Sequence, residues 1–541
     1  MLGKVAAVLG GWRPLALVGR HLVRRWVAAV VVVVTIGAIQ LCILLSQHHA
    51  VHSARVQLEA VGGVPCSAIP VPDRYWRLTA ANSPPFVAMP LRTTIEAGQS
   101  VCVRVVVPAK PTGVLLTYTP FPESPWDSVL LDLVGTATGI SVPVALQMTA
   151  HAQNYHRSAT HIYEANVVLR DADTYRPQGV LEFRDARWNP DAGLSPAEYQ
   201  PEELRIPRML KVIVVDRDGL SPFSLQRHMA LPLCTTLESD GRWVPQALLQ
   251  PLLDAEQKPA VTDAAGRAWL PYACRLRRIA YSEFAQCLQS KHPLMHWYGD
   301  SNLRRALKKI TTLGDWCARA SDIGTKSCRC EDYHDKFAPF DPSQRSTVIE
   351  LSVSDGGRTV DKVGANSTVA QIYYHKWEGL SGRNSPPWHA RFEAGITQAY
   401  GQPNMVVVSL VNWDAAYSAR AEFSASLDRL LGYLEREYAP AVRFIIRTGQ
   451  YFCCRSDSDQ ADTRSYSRLR NAFFDRHVVR AFTERLGPAR ILGVWNVAAI
   501  TERRPMDARR ESISCNANHA PADIVDVENQ VLFNALCNSS N

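Results

Sequence analysis

The sequence predicts a membrane-anchored protein with two folded parts, a β-sandwich and then an α/β domain on a parallel sheet. Three observations carry this. Residues 26–45 are an unbroken run of uncharged, mostly apolar side chains. Between residues 62 and 218, β-branched runs alternate with Pro, Gly and Asp clusters. From residue 291 onward, continuous apolar runs alternate with helical patterns. A chain of 541 residues with 46% apolar content is long enough for two or three globular domains.

The first 25 residues hold Lys4, Arg13, Arg20, Arg24 and Arg25 and no acid, and read as a cytoplasmic basic tail. They supply five of the formal net charges of +8. The remainder is nearly balanced, so the charge does not indicate a nucleic-acid binder, and no nucleic-acid partner is expected. A run of 20 uncharged residues spans a bilayer as a helix, so residues 26–46 read as a transmembrane signal-anchor. The preceding basic flank sets the orientation, with the N-terminus cytoplasmic and the C-terminus lumenal. A long cleaved signal is the alternative. No comparable run follows, which gives a single-pass type II protein with a polar stem over residues 47–61.

Of 13 cysteines, Cys42 lies in the apolar run and 12 lie beyond it. An even count on the lumenal side predicts disulfides in an oxidising compartment. Cys328-Arg-Cys330 and Cys453-Cys454 lack the Cys-x-x-Cys spacing of common zinc sites, so no metal is expected. Asn366-Ser-Thr and Asn538-Ser-Ser are glycosylation sequons in a lumenal chain.

Residues 62–218 carry the β pattern, in runs that include residues 100–107, 114–118, 142–146, 163–169 and 210–215. Short strands at this spacing predict an antiparallel sandwich of immunoglobulin or filamin type. No cluster in it carries chemistry, and His161 and Glu164 read as solvated strand residues. Residues 219–290 form a cysteine-containing bridge of weak periodicity. In the last part, residues 291–541, apolar runs at 348–351, 405–411, 442–446 and 491–495 read as buried parallel strands. A final helix over about residues 523–536 buries Ile524, Val527, Val531, Leu532 and Ala535. In such sheets the site lies at the carboxyl ends of the strands. Ser301, Asn412-Trp-Asp414, Arg447-Thr448 and Asn496 all fall there.

The stretch His296-Trp-Tyr-Gly-Asp-Ser301-Asn-Leu-Arg304 runs from strand-like residues into a helix marked by Leu303, Ala306, Leu307, Ile310 and Leu313. Ser301 therefore sits where a strand becomes a helix. Such a turn exposes a hydroxyl beside free N–H groups that can stabilise an oxyanion. Asp-Ser is also an ordinary helix N-cap. The best base is His519, in Cys515-Asn-Ala-Asn-His519-Ala-Pro, on a loop before the final helix. The Ser301 N–H and the Asn412 side chain are candidate oxyanion donors. Arg447 is placed to hold an anionic or hydroxyl-rich substrate. Trp297, Trp413 and Trp495 read as core, and Arg304, Arg305, Lys308 and Lys309 as a solvated helix face.

In order, the chain shows Cys234, Gly241-Arg-Trp-Val244, Trp269-Leu-Pro-Tyr-Ala-Cys274, Cys287, Gly299-Asp-Ser301-x-x-Arg304, Val406 to Asp414, Phe444-Ile-Ile-Arg447-Thr448, His519 and Val525-x-x-Glu528-x-Gln530-x-Leu532-x-Asn534-x-Leu536-Cys537. This ordered set resembles the PC-esterase group of SGNH-like proteins. That group includes neurexophilin and PC-esterase domain proteins and the plant trichome-birefringence-like O-acetyltransferases. The resemblance covers residues 234–537. It implies an SGNH-like (GDSL) three-layer domain with a parallel sheet, and the preceding sandwich is similar to the β domain of the neurexophilin type. It also implies Ser301 as nucleophile, His519 as base and Arg304 as part of the pattern. The family commonly has Asp three residues before the histidine, where this chain has Asn516. Asp507, Asp523, Asp526 or a backbone carbonyl is left to orient His519, and Asp507 is favoured.

The expected function is that of a Golgi or other secretory-pathway membrane enzyme. It would transfer an acetyl group to glycan hydroxyls, or remove it, through a Ser301 acyl-enzyme. The acceptor would be a glycan or glycoprotein. No cofactor is held; transfer would draw on acetyl-CoA or a relay, with a multi-span partner to supply the donor. The alternative is a non-catalytic, neurexophilin-like binding protein on a degenerate scaffold. A carboxylate near His519 Nδ1 favours the enzyme, and a blocked or distant Ser301–His519 pair favours the binding protein.

Overall fold

The computed structural model describes residues 63–80, 82–89, 93–108, 127–149, 160–183, 188–189, 193–194, 202–208, 210–215, 225–237, 240–249, 262–263, 266–318, 346–351, 370–380, 395–418, 420–451, 468–502 and 519–538. Gly63–Asn541 form one compact unit. The tail, apolar run and stem predicted for residues 1–61 lie outside the described residues. Among the described residues no helix is long and apolar enough to cross a membrane.

The β-rich half contains β1 (Phe86–Ala88), β2 (Thr93–Glu96), β3 (Ser100–Val107), β4 (Ser128–Gly135), β5 (Ser141–Pro143), β6 (Gln147–Met148), β7 (His161–Val168), β8 (Asp173–Phe183), β9 (Trp188–Asn189), β10 (Gly193–Leu194), β11 (Glu202–Glu203), β12 (Val212–Val215), β13 (Gly241–Pro245) and β14 (Arg267–Pro271). One sheet runs β1-β3-β7-β6, and a larger one runs β14-β13-β5-β4-β8-β12-β2 with β11 on β8. The β-branched run of β3 is buried along nearly its whole length because the strand is central in its sheet. Val101, Val103 and Val105 from it share one core with Leu131, Leu133 and Leu181 of the other sheet. The residues read as solvated are engaged. Glu164 pairs with buried Arg104 at 3.0 Å, and His161 Nδ1 lies 2.8 Å from the buried Asp127 carboxylate.

Two features correct the expected immunoglobulin- or filamin-like sandwich. The large sheet is mixed, since β12 runs parallel to β2 while its other pairs are antiparallel. It also continues past residue 218, because β13 pairs with β5 and β14 with β13. The segment read as a loop-like bridge hid these strands because Trp243, Val244, Trp269 and Leu270 are buried on both faces and show no alternation.

The second half is built on β15 (Leu294–Gly299), β16 (Ser346–Leu351), β17 (Ala370–Lys376), β18 (Met405–Ser409), β19 (Arg443–Arg447) and β20 (Ile491–Trp495), in the order β16-β17-β15-β18-β19-β20. The SGNH-like parallel sheet is corrected here as well. β16 runs antiparallel to β17, and the sheet is mixed. An apolar run fixes burial, not strand direction, so nothing in residues 346–351 distinguishes the two.

The helices of this half, among the described residues, are α1 (Tyr281–Lys291), α2 (Ser301–Thr311), α3 (Ile396–Tyr400), α4 (Val411–Tyr417), α5 (Arg420–Glu437), α6 (Arg468–Leu486), α7 (Val497–Glu502) and α8 (Ala522–Cys537). Apolar residues leave the sheet on both faces. Met295 and Trp297 of β15 pack with Leu303 and Leu307 of α2 and Val531 and Leu532 of α8. Tyr298 of the same strand packs with Val408, Leu427 of α5 and Phe474 of α6 on the other face.

Helix α8 is tied down by polar groups as well as apolar ones. Gln530 accepts from Ile279 N and donates to Ile279 O, each at 2.9 Å, and Asn534 does the same with Arg277. Asn529 Nδ2 donates to Ala306 O of α2 at 3.2 Å. Three disulfides join Cys66–Cys102, Cys234–Cys274 and Cys287–Cys537, and Cys317 is disulfide-bonded too. Cys328, Cys330, Cys453, Cys454 and Asn366 lie outside the described residues. At the other sequon, Asn538 Nδ2 donates to Cys234 O at 3.1 Å and Asn534 Oδ1 at 2.8 Å, and Oδ1 accepts from Arg277 at 2.8 Å.

The basic face of α2 is not solvated. Arg304, Arg305, Lys308 and Lys309 are 1%, 2%, 0% and 1% exposed. Lys309 Nζ meets Asp526 of α8 at 2.9 Å, and Arg305 and Lys308 lie over the Trp316 ring at 5.1 and 5.5 Å. Long aliphatic stems let such residues bury where their ends find a charge or a ring.

Candidate active site

Ser301 opens α2 directly after β15. Its neighbour Asp300 is the N-cap, and Oδ1 accepts from Asn302 N at 2.9 Å and Leu303 N at 3.4 Å. Of the first-turn N–H groups, that of Ser301 is the one this carboxylate leaves for another acceptor. Gly299 is required by space: a Cβ there would lie 2.8 Å from Leu303 Cδ2 and 3.0 Å from Ser409 Cβ. The Tyr374 hydroxyl donates to the carbonyls of Gly299 and Asp300 at 3.1 and 3.0 Å and fixes the turn from the adjacent strand. Strand order changes direction between β15 and β18, so Ser301 stands at the crevice an open α/β sheet leaves at its carboxyl edge.

His519 lies three residues ahead of α8. Its Nε2 is 2.7 Å from Ser301 Oγ, across 218 residues of sequence. Both side chains are partly exposed. This is hydrogen-bond distance between a hydroxyl and an imidazole, the arrangement a base needs to take the serine proton.

The other predicted site residues divide. Asp507 and Asn516 lie outside the described residues. Asp526 is committed elsewhere, accepting from Tyr281 Oη at 2.5 Å and from Lys309. Asp523 sits in the first turn of α8. Arg304 is buried in α2. Asn412 lies in α4 and not on a strand-end loop, and its amide grips a backbone: Nδ2 donates to Gln450 O at 2.9 Å and Oδ1 accepts from Gln450 N at 3.1 Å. Arg447 is buried, donates to Glu528 of α8 at 2.9 Å and lies 5.1 Å over the Trp495 ring. Both read as scaffold beneath the Ser301–His519 pair.

From the sequence, Glu528 enters only within the family pattern and Trp495 only as core, and Gln450, Asn471 and Asp475 are given no role. Gln450 Nε2 donates to both Glu528 oxygens at 2.6 and 2.8 Å, and Trp495 Nε1 donates to Glu528 O at 3.0 Å. Asp475 of α6 accepts from Gly449 N at 2.9 Å, and Asn471 donates to Gln450 O at 3.0 Å. Burial pushes the carboxyls of Asp300 and Glu528 up, and the nearby Arg447 guanidinium opposes it in each. Burial raises Asp475 to about 8, opposed by the Gly449 hydrogen bond and by Arg476 and Arg447. A signal for Glu528 was present. It falls on the apolar stripe of α8, four residues after Ile524 and three before Val531, so burial followed from helix spacing. Among the described residues no group of His, Cys, Asp and Glu is arranged to hold a metal ion.

No protein-family model matches the chain, and no curated protein does. A solved structure, a copper-bound variant of FetP from uropathogenic Escherichia coli strain F11, shares 13% identity. The match covers 26% of this chain and 98% of that one at a TM-score of 0.12, too low to bear on the fold or the site.

Proposed function

We propose that the protein is a serine-dependent acyl-transfer enzyme, an esterase or an O-acyltransferase, with Ser301 as nucleophile and His519 as base. One observation carries the reading: the 2.7 Å approach of His519 Nε2 to Ser301 Oγ at the carboxyl edge of the sheet. His519 takes the Ser301 proton as Oγ bonds to the ester carbonyl carbon. The developing oxyanion faces the start of α2, where the Ser301 N–H is a donor. The tetrahedral adduct collapses, the ester C–O bond breaks and the leaving alkoxide takes the proton from His519. Water, or an acceptor hydroxyl, then gives a proton to His519 as its oxygen bonds to the acyl carbon; the Ser301 Oγ–acyl bond breaks and Oγ takes the proton back from His519. Water completes an esterase cycle and an acceptor hydroxyl a transferase cycle.

The ordered resemblance to PC-esterase proteins supports an acetyl group and a glycan hydroxyl as the substrate class. The disulfides support a secretory-pathway setting. The test is labelling of the full-length chain by a fluorophosphonate probe and turnover of a generic acetyl ester, each beside Ser301→Ala. Labelling and turnover lost in the variant are the expected results. Folded protein that the probe does not touch, or that labels equally without Ser301, overturns the proposal.

A further inference from the structure

The β-rich half reaches the carboxyl edge of the second sheet at two points. Trp243 of β13 is buried and donates Nε1 to Ile500 O of α7 at 2.8 Å. Tyr451, which follows the turn after β19, packs on Leu130 of β4 and Val180 of β8. Its hydroxyl donates to the buried carboxylate of Glu182 in β8 at 3.1 Å. The two points converge, because Tyr451 N donates to Thr501 Oγ1, the residue next to Ile500, at 2.9 Å.

What Tyr451 anchors matters for the pair above it. The preceding residue, Gln450, has its backbone held by Asn412 and Asn471 and its side chain on Glu528. Glu528 belongs to α8, and the segment just ahead of α8 carries His519. An unbroken series of hydrogen bonds and one covalent step therefore leads from β8 to the helix that delivers the imidazole.

Building on the Ser301–His519 reading above, the geometry points to Tyr451 as a positioning residue for that pair, with Glu182 as its anchor in the β-rich half. The β-rich half is then part of the site and not a spacer in front of it. Small displacements of a base cost large factors in rate, so loss of this anchor lowers the rate of attack without altering probe binding.

The test uses the full-length chain, as wild type, Tyr451→Phe and Glu182→Gln, with a fluorophosphonate probe followed to saturation. Tyr451→Phe removes the hydroxyl and keeps the ring. The expected result is a labelling rate constant lower by about tenfold at unchanged half-saturation and full final labelling. Glu182→Gln keeps an acceptor but loses the charge, and about a threefold fall is expected. A merely structural role reduces the fraction labelled and leaves the rate constant alone, and that outcome overturns the inference. So do unchanged rates in both variants. If Tyr451→Phe does not fold, Glu182→Gln decides by the same two readouts. If wild type shows no Ser301-dependent labelling, the enzyme reading has failed and takes this one with it; normal wild-type labelling with unaffected variants sinks this one alone.

Discussion

Glu528→Gln should destabilise the protein more than any surface substitution. Glu528 is 0% exposed and Arg447 is 1% exposed, and they meet at 2.9 Å. The carboxylate takes three donor contacts, one from Arg447 and two from Gln450 Nε2. An amide offers one acceptor oxygen and turns a donor toward Gln450, and it leaves a buried guanidinium without its nearest counter-charge. Breaking one side of such a pair costs about 3–5 kcal/mol. Asp300 is close enough to Arg447 to offset part of this, so about 3 kcal/mol is the working figure. Unfolding entropy is about 2.1 cal/mol/K per residue, or about 1 kcal/mol/K over roughly 480 residues, which gives a midpoint lower by about 3 °C. Scanning calorimetry with the disulfides intact reads it. The double variant Glu528→Leu with Arg447→Met should lie within about 1 kcal/mol of wild type, because apolar replacement of the whole pair removes the desolvation cost. A double variant no better than the sum of its singles would refute the reasoning.

Other outcomes follow from the same geometry. Gly299→Ala puts a methyl against Leu303 and Ser409, and should cost about 1–3 kcal/mol in denaturant unfolding while slowing Ser301 labelling. Asp475, with its folded pKa raised from 3.8 to about 8, holds a proton the unfolded chain has released, so stability is highest below about pH 4 for this group and falls as pH rises toward 8. The slope is up to about 1.4 kcal/mol per unit, and Asp475→Asn should flatten it in urea midpoints taken from pH 5 to 8. A variant with the wild-type slope would assign that dependence to other groups. Asn538 should be unglycosylated in the folded protein, since Nδ2 already makes two hydrogen bonds; a mass spectrum showing a glycan there would mean the α8 cap differs from this structure.

What the sequence disclosed was mostly burial. Leu303, Ala306, Leu307 and Ile310 mark α2 because a helix with one packed face repeats at that spacing, and all four are buried. Leu313 kept the spacing but lies beyond the helix, with φ of +50°. The runs at 405–411, 442–446 and 491–495 were legible as strands, yet the first stops at Ser409 and Val411 begins α4. Strand direction and sheet membership were not legible: β16 turned antiparallel, and β13 and β14 joined the first half. Both depend on partners far away in sequence. For the site, Ser301 and His519 were readable as a pair. Asn412 and Arg447 were read as free donors because their partners, the Gln450 backbone and Glu528, lie 38 and 81 residues away.

The distribution of buried charge bears on the functional reading. Asp300, Arg447 and Glu528 are all buried at or beside the carboxyl ends of β15 and β19. Apolar side chains of similar size would hold these elements at less cost, because each buried ion must recover its lost hydration from a few fixed partners. Hydrogen-bonded charges accept few geometries where apolar contacts accept many, and that restriction suits the proposed site, where one imidazole lies within 2.7 Å of one hydroxyl. The same reasoning explains why Asn412 and Arg447, though they touch no substrate in this account, stand where catalytic groups would be sought: they hold the turn and the helix on which the pair depends.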